Sequence, residues 1–540
     1  MHQKKVSYYS ADTMKSLLLS YPQYKEKLYC RGFLVTDTDL DLEDYPFYGN
    51  WQIKTVQLAG NCINIYTHKL IESYIYESDK MICFLIGHAY NPFTMQYQEM
   101  EILADLSRSW NLGKEVFWKK ESELTGVFCL GILTADGLQF STDCTGMQLI
   151  YYTQYKKHLY LTSHSKLVAD LCGFQQDDYI VRLVNSKFYH YFGTWLPGDK
   201  SPFRELKRVQ PNFATTFSFS NCQFSIERYY PLERIVEITD DKYDEYIGKI
   251  ADILAKTMKL IALKWPNRRA AISVTGGRDS TTTLASAKDA YDQFGYFSYI
   301  SQESERVDAE AAHKICDYLG LDHTIYNIPD ESNLYKDIDV IKMILECNAG
   351  CIGHNNLNDV KKRIFLDHVD DFDVEVKSWV NELGRGWPQN KYNTKRFPAY
   401  PTPGYFRCMW KVILNFRLIR ESNKIFSDYL NKYYQGDTFK YISWMDLYCW
   451  EFSWGGGEGI FLTSEHKYSY DITVPYNNRL LLNTMFQIPL SKRIDDRIPI
   501  DVIKYNNKKV EEAQVHVHNI AHTKMWSFIL RTYLRIFSKI

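Results

Sequence analysis

Residues 270–283 read Ala-Ala-Ile-Ser-Val-Thr-Gly-Gly-Arg-Asp-Ser-Thr-Thr-Thr. Ala270, Ile272 and Val274 predict a short apolar strand, and Thr275-Gly276-Gly277-Arg278-Asp279-Ser280 a turn that feeds a helix. Two adjacent glycines remove the Cβ atoms that would keep an oxyanion off the backbone. Flanking hydroxyls and the first amides of the new helix then offer donors to it. No Gly-Lys-Ser/Thr follows, so this is not a Walker A loop. Tyr296–Ile300 predicts a second strand, and His323–Ile328 a third. Between them Ala312, Ile315, Cys316 and Leu319 share a helix face that closes at Gly320. This order predicts a parallel α/β sheet, where ligands sit beyond the carboxyl ends of the strands.

The loop resembles the pyrophosphate loop of the N-type ATP pyrophosphatases, usually Ser-Gly-Gly-x-Asp-Ser, which split ATP between its α and β phosphates. The resemblance implies a triphosphate over Thr275, Gly276, Gly277, Arg278, Asp279 and Ser280. It places adenine near Tyr299 and Ile300, and Mg²⁺ on Asp279 as the main protein ligand.

At 540 residues the chain exceeds the size of one growing core, so two or three domains are expected. Lys+Arg 64 against Asp+Glu 65 leaves a net charge of −1, so no global field points to nucleic acid. The 12 cysteines are scattered without a Cys-x-x-Cys pair, which argues against zinc and for reduced thiols in a cytoplasmic protein. The start, Met-His-Gln-Lys-Lys-Val, lacks a signal peptide's apolar core, and no run of about 18 apolar residues could span a bilayer.

Up to about residue 230 four segments resemble, in order, the amidotransferase half of asparagine synthetases. They are Phe84–Asn91, Leu124–Gly131, Thr142–Tyr152 and Leu161–Leu167. In that family the glutaminase nucleophile is an N-terminal Cys. Here the chain begins Met1-His2, His88 replaces a donor-site Glu, and Thr142 and Cys144 replace arginines. A Cys30-Arg31-Gly32-Phe33 start would mimic the family's only after processing. Glutamine hydrolysis is expected to be absent.

The resemblance continues toward the C-terminus. The family's Ser-Gly-Glu-Gly-x-Asp-Glu, which holds Mg²⁺ and a catalytic Glu, corresponds to Val374–Gly386. Two registers stay open. In the preferred one Glu382 ends a strand as the candidate general base, and Arg385 falls at the Asp position, able to bind a phosphate or a carboxylate. In the other, Asn381-Glu382 matches Asp-Glu, and the metal-binding Asp has become Asn. Leu447–Phe452 and Trp454–Gly457 read as an aromatic helix ending in a glycine turn, and Pro475–Arg479 resembles a Pro-Phe-Leu-Asp motif. Of Lys492, Arg493 and Arg497, Arg497 lies at about the distance of the family's pyrophosphate-binding Lys, though Arg cannot donate a proton as Lys can.

The implied fold class is α/β: a PP-loop (adenine nucleotide α-hydrolase-like) parallel-sheet domain over about 231–540, preceded by an Ntn-like αββα sandwich over about 1–230. The implied activity is ATP-dependent amide ligation. A small-molecule, peptide or sugar-acid carboxylate is adenylated, releasing pyrophosphate, and an amine or ammonia then displaces AMP. A catalytically degenerate nucleotide-binding scaffold or partner subunit is the rival reading.

Lys524–Ile540 reads as a basic amphipathic helix, with Arg531, Arg535 and Lys539 opposite Trp526, Ile529, Tyr533 and Phe537. It either lies on an anionic membrane surface or packs on its own domain. His516, His518 and His522 have partial metal-site spacing but no His-Glu-x-x-His, so packed or solvated histidines are the default. The sequence admits a homo-oligomer without specifying one.

Overall fold

The computed structural model describes residues 8–187, 189, 195–352, 356–392, 397–462, 466–513 and 524–540. His516, His518 and His522 lie outside the described residues.

The first 230 residues contribute β1 (Phe33–Thr36), β2 (Trp51–Leu58), β3 (Asn61–His68), β4 (Ser73–Glu77), β5 (Ile82–Tyr90), β6 (Thr125–Leu133), β7 (Gly137–Thr142), β8 (Tyr151–Tyr155), β9 (His158–Thr162), β10 (Lys207–Arg208), β11 (Phe213–Ser218) and β12 (Gln223–Arg228). They form two antiparallel sheets, ordered β10-β8-β9-β1-β3-β2 and β12-β11-β7-β6-β5-β4. Ile82, Phe84 and Ile86 of β5 meet Phe33, Val35, Ile63 and Ile65 in the core between the sheets. Cys83 and Leu85 point the other way, into a core shared with Ile102, Leu103 and Leu106 of helix Glu99–Leu112. β5 is therefore buried on both faces, which is why it reads as a continuous apolar run and not as an alternation.

β5 and β6 approach closely because two glycines face each other's backbone. A Cβ on Gly87 (φ +107°) would stand 2.2 Å from the Val127 carbonyl oxygen, and one on Gly126 (φ +142°) 2.2 Å from that of His88.

The second half builds a sheet from β13 (Ala270–Ser273), β14 (Phe294–Ile300), β15 (His323–Asn327), β16 (Val374–Val376) and β17 (Asp471–Thr473). Its order is β15-β14-β13-β16-β17, and every neighbouring pair is parallel. Helix Tyr243–Lys264 buries Ile247, Ile250, Ala251, Leu254, Met258 and Ile261, the stripe that a 3.6-residue period demands.

Two sequence expectations need correction. β16 ends at Val376, so Glu382 stands on the 3₁₀ turn Asn381–Arg385 and not at a strand end. Immediately before that turn Val380, a β-branched residue, stands at φ +78°, outside extended geometry. The Gly455–Gly457 run does not end a helix but opens one, Gly455–Phe461. Its glycines are packing residues: a Cβ on Gly455 would meet Pro211 at 2.6 Å, and one on Gly456 would meet Arg208 at 3.1 Å.

Many contacts stitch the halves together, and two groups of them stand out. Residues 9–29 bond far along the chain: Tyr9 to Glu346 (2.8 Å), Tyr24 to Asp337 (3.0 Å), Lys27 to Asp367 (2.5 Å) and the Tyr29 amide to Asn348 (2.8 Å). The Pro475–Arg479 turn forms the other clasp. Asn477 donates to Asp143 (2.9 Å) and to the Gly126 carbonyl (2.6 Å), while Asn478 donates to the Glu123 carbonyl (2.7 Å) and caps helix Arg479–Gln487.

Helix Lys524–Phe537 buries Leu530, Tyr533 and Leu534 against the domain, with the Tyr533 hydroxyl accepting from the Ile413 amide at 2.9 Å. Phe528, Ile529 and Ile536 stay exposed, and the Trp526 side chain lies outside the description. Among the described residues no helix is long and apolar enough to cross a membrane.

Candidate functional site

β13 and β16 are neighbours, yet their chains depart toward opposite edges of the sheet. Such a reversal opens a crevice outside the carboxyl ends of the two strands, where α/β sheets bind ligands. The residues that follow β13 are Thr275–Ser280, and those that follow β16 lead to Ser378, Asn381, Glu382 and Arg385. The sheet thus brings together the two segments that the sequence singled out.

Ser280 fixes the first of these loops. Its hydroxyl accepts from the Thr275 amide (3.0 Å) and lies 2.9 Å from the Thr275 hydroxyl, which in turn accepts from the Gly277 amide (3.2 Å). Helix Arg278–Ser286 starts there, and its N-cap, Gly277, has no side chain to close over the first-turn N–H groups. An open helix N-terminus of this kind favours an anion. Thr283 ties the helix to the second loop through the Ser378 hydroxyl at 2.7 Å.

Four charges line the mouth. Arg385 places Nη1 at 3.0 Å from both oxygens of Asp279 and forks Nε and Nη2 onto Asp496 at 2.7 and 2.8 Å. Asn381 donates its amide to Asp279 Oδ1 at 2.7 Å. Arg278 stands 3.9 Å from Asp496. Each of the four charged side chains is a quarter to a third exposed. Burial raises the Asp279 pKa, and Arg385 and Asn381 oppose that shift. For Arg385 burial acts downward, but the Asp496 hydrogen bond and both carboxylate charges outweigh it.

This arrangement does not fit Asp279 as the holder of a divalent ion. Both of its oxygens already face a guanidinium, and Asn381 turns its N–H₂, not its oxygen, toward the carboxylate. Among the described residues no group of three or more His, Cys, Asp or Glu side chains converges as a metal site.

Tyr299 and Ile300 end β14, the strand beside β13. Ile300 is buried, and the Tyr299 ring lies under the Lys362 ammonium at 4.7 Å and that of Lys377 at 6.0 Å. Lys377 also pairs with Glu375 at 2.6 Å. Burial pushes the Glu375 carboxyl up, but Lys377 prevails and holds it below the ordinary value. Arg497 pairs with Asp501 at 3.0 Å, Lys492 with Asp240 at 3.2 Å, and Arg493 with Asp446 at 3.1 Å. The charges at the crevice are those of Arg278, Asp279, Arg385 and Asp496. Sequence reasoning does not single out Asp496, which lies among the cations Lys492, Arg493 and Arg497, although Asp495-Asp496-Arg497 is itself a charged turn.

In the first half His88 is buried edge-on to Trp265, 3.7 Å from Asp471, with its pKa lowered to about 4 by burial. Thr142 and Cys144 are buried as well. Cys30 is buried, its thiol pushed up by that burial, and the residues before it are those stitched to the second half.

No protein-family model and no curated protein matches the chain. Among solved structures it is similar to one described as the allosteric regulatory enzyme of purine biosynthesis, at 12% identity and a TM-score of 0.25. Another is the glutamine phosphoribosylpyrophosphate amidotransferase from B. subtilis complexed with ADP and GMP, at 11% identity and a TM-score of 0.23. Each match covers 54% of this chain and 63% of the other, so the chain spans less than two thirds of either. At such scores neither likeness bears on the site, whose description rests on the chain's own strand order and side chains.

Proposed function

We propose that the crevice between β13 and β16 binds ATP, and that the protein is an AMP-forming amide ligase acting on a carboxylate with an amine or ammonia as nucleophile. On this reading residues 231–540 are a PP-loop synthetase domain and residues 1–230 an Ntn-like sandwich. The observation that carries the proposal is the placement of the Thr275–Ser280 loop, with its open helix N-terminus, at the reversal of strand order. Arg278 and Arg385 lie beside it and supply fixed cations suited to phosphate oxygens. Glu382, on the facing turn, is the candidate base for the attacking amine.

The ion pair between Arg385 and Asp279 favours one second reading, a nucleotide-binding scaffold or partner subunit without turnover. Incubating the purified protein with ATP, ammonium and a panel of carboxylates, with and without Mg²⁺, separates the two. AMP and pyrophosphate that rise with one carboxylate class support the ligase. Binding of ATP without cleavage supports the scaffold, and ADP with phosphate as the products overturns the ligase.

A further inference from the structure

Two donor groups already make three contacts to Asp279: Arg385 Nη1 reaches both oxygens at 3.0 Å, and Asn381 Nδ2 reaches Oδ1 at 2.7 Å. A carboxylate offers about four lone-pair positions. Mg²⁺ demands near-octahedral ligands at roughly 2.0–2.1 Å. An ion bound to Asp279 would sit against a guanidinium that cannot give up its proton. Arg385 cannot swing aside freely, because Asp496 grips its other edge through two bonds of 2.7 and 2.8 Å. Asp496 is in turn the first residue before helix Arg497–Asn506, held at φ +56°.

The guanidinium therefore stands where a bound cation would otherwise balance the loop's acid. Arg278 adds a second permanent charge whose contact with Asp496, at 3.9 Å, is too long for a hydrogen bond. An incoming phosphate can recruit Arg278 without breaking a strong pair.

We propose that this site takes its nucleoside polyphosphate without a divalent metal, with Arg385 and Arg278 meeting the phosphate charge and Asp279 and Asp496 holding Arg385 in place. The inference rests on the nucleotide reading above.

Titration calorimetry of the full-length protein with ATP, once in EDTA and once in Mg²⁺, tests it. The expected dissociation constants agree within about threefold, a difference worth roughly 0.7 kcal/mol. Arg385→Met weakens binding in EDTA by about tenfold or more. Arg278→Met does so too while leaving the Arg385 anchors intact, which covers the case in which the first variant fails to fold. Electron paramagnetic resonance with Mn²⁺ alone adds a gain-of-function arm: no stoichiometric binding by the natural protein, and binding by Arg385→Asp, which brings three carboxylates together. ATP binding that requires Mg²⁺, or Mn²⁺ binding by the natural protein that Asp279→Asn abolishes, overturns this inference and leaves the nucleotide reading standing. Absence of ATP binding in both buffers overturns the nucleotide reading and this inference with it.

Discussion

Arg479 and Glu121 form a 2.7 Å ion pair in which both side chains are wholly buried, one from each half of the molecule. Arg479 also donates Nε to Asn212 at 2.9 Å and Nη2 to the carbonyls of Thr142 and Asp143 at 3.2 Å. Burial pushes the Glu121 carboxyl up to about 7, against the pull of Arg479. A desolvated charge that loses its partner typically costs about 3–5 kcal/mol. Arg479→Met is expected to lower unfolding free energy by that order in urea titration. The double variant Glu121→Gln/Arg479→Met should recover part of the loss, and strict additivity would show that the pair is not coupled.

Asp279→Ala removes one of the two anchors of Arg385. The side chain is a quarter exposed, so stability should change by about 1 kcal/mol or less, read from thermal melts. Release of AMP and pyrophosphate should disappear. Full product release by a folded Asp279→Ala protein would remove this residue from the site.

Glu382→Gln separates the two half-reactions. Amide formation should slow by about 10²-fold or more, the scale of general-base contributions. Pyrophosphate release in the absence of amine should change much less. Equal loss of both would make Glu382 a structural residue of the turn and not the base.

His88 has its pKa depressed to about 4, as does His68. The unfolded chain takes up these protons near pH 6.5 and the folded chain does not, so stability falls as pH drops from about 6.5 toward 4. At pH 5 each group contributes a loss of roughly 2 kcal/mol relative to neutral pH. His88→Gln should flatten this slope between pH 7 and pH 5 in urea titrations, and an unchanged slope would contradict the assignment.

Gly126→Ala puts a methyl group 2.2 Å from the His88 carbonyl at a backbone angle that L-residues rarely adopt. A loss of several kcal/mol is expected, enough to unfold the sandwich or to prevent recovery of folded protein. The nearby Gly113→Ala, with nothing within 4 Å of its added Cβ, isolates the backbone component of the cost.

The parallel sheet was legible in the sequence because its signals are local. Ala270–Ser280 carries its strand, glycine turn and helix start within a few residues, and β14 and β15 follow at ordinary spacing. The charge pattern of the site was not legible, because Asp279, Arg385 and Asp496 meet only in the fold. The sequence offers Arg385 as a binder of a phosphate or a carboxylate, but nothing in it announces that its N–H donors also grip two aspartates, Asp279 and Asp496. The sequence suggests a strand end at Glu382 because the apolar run continues through Trp379 and Val380. Nothing in that composition announces that Val380 takes a left-handed turn. Gly455–Gly457 misled in the opposite sense: glycine usually punctuates, but here it makes room for Pro211 and Arg208 of the other half.

The stitching of residues 9–29 to residues 337–367 also sets a timetable. At roughly 5–20 residues per second, the ribosome needs about 20–70 s after Tyr9 emerges to deliver its partner Glu346. For that interval Tyr9, Tyr24, Lys27 and Tyr29 have no native hydrogen-bond partner in the second half to close upon. Residues 9–29 thus complete their hydrogen bonding only once residues 337–367 have been made, and a nascent chain arrested before residue 337 should be cut there by protease sooner than the whole protein.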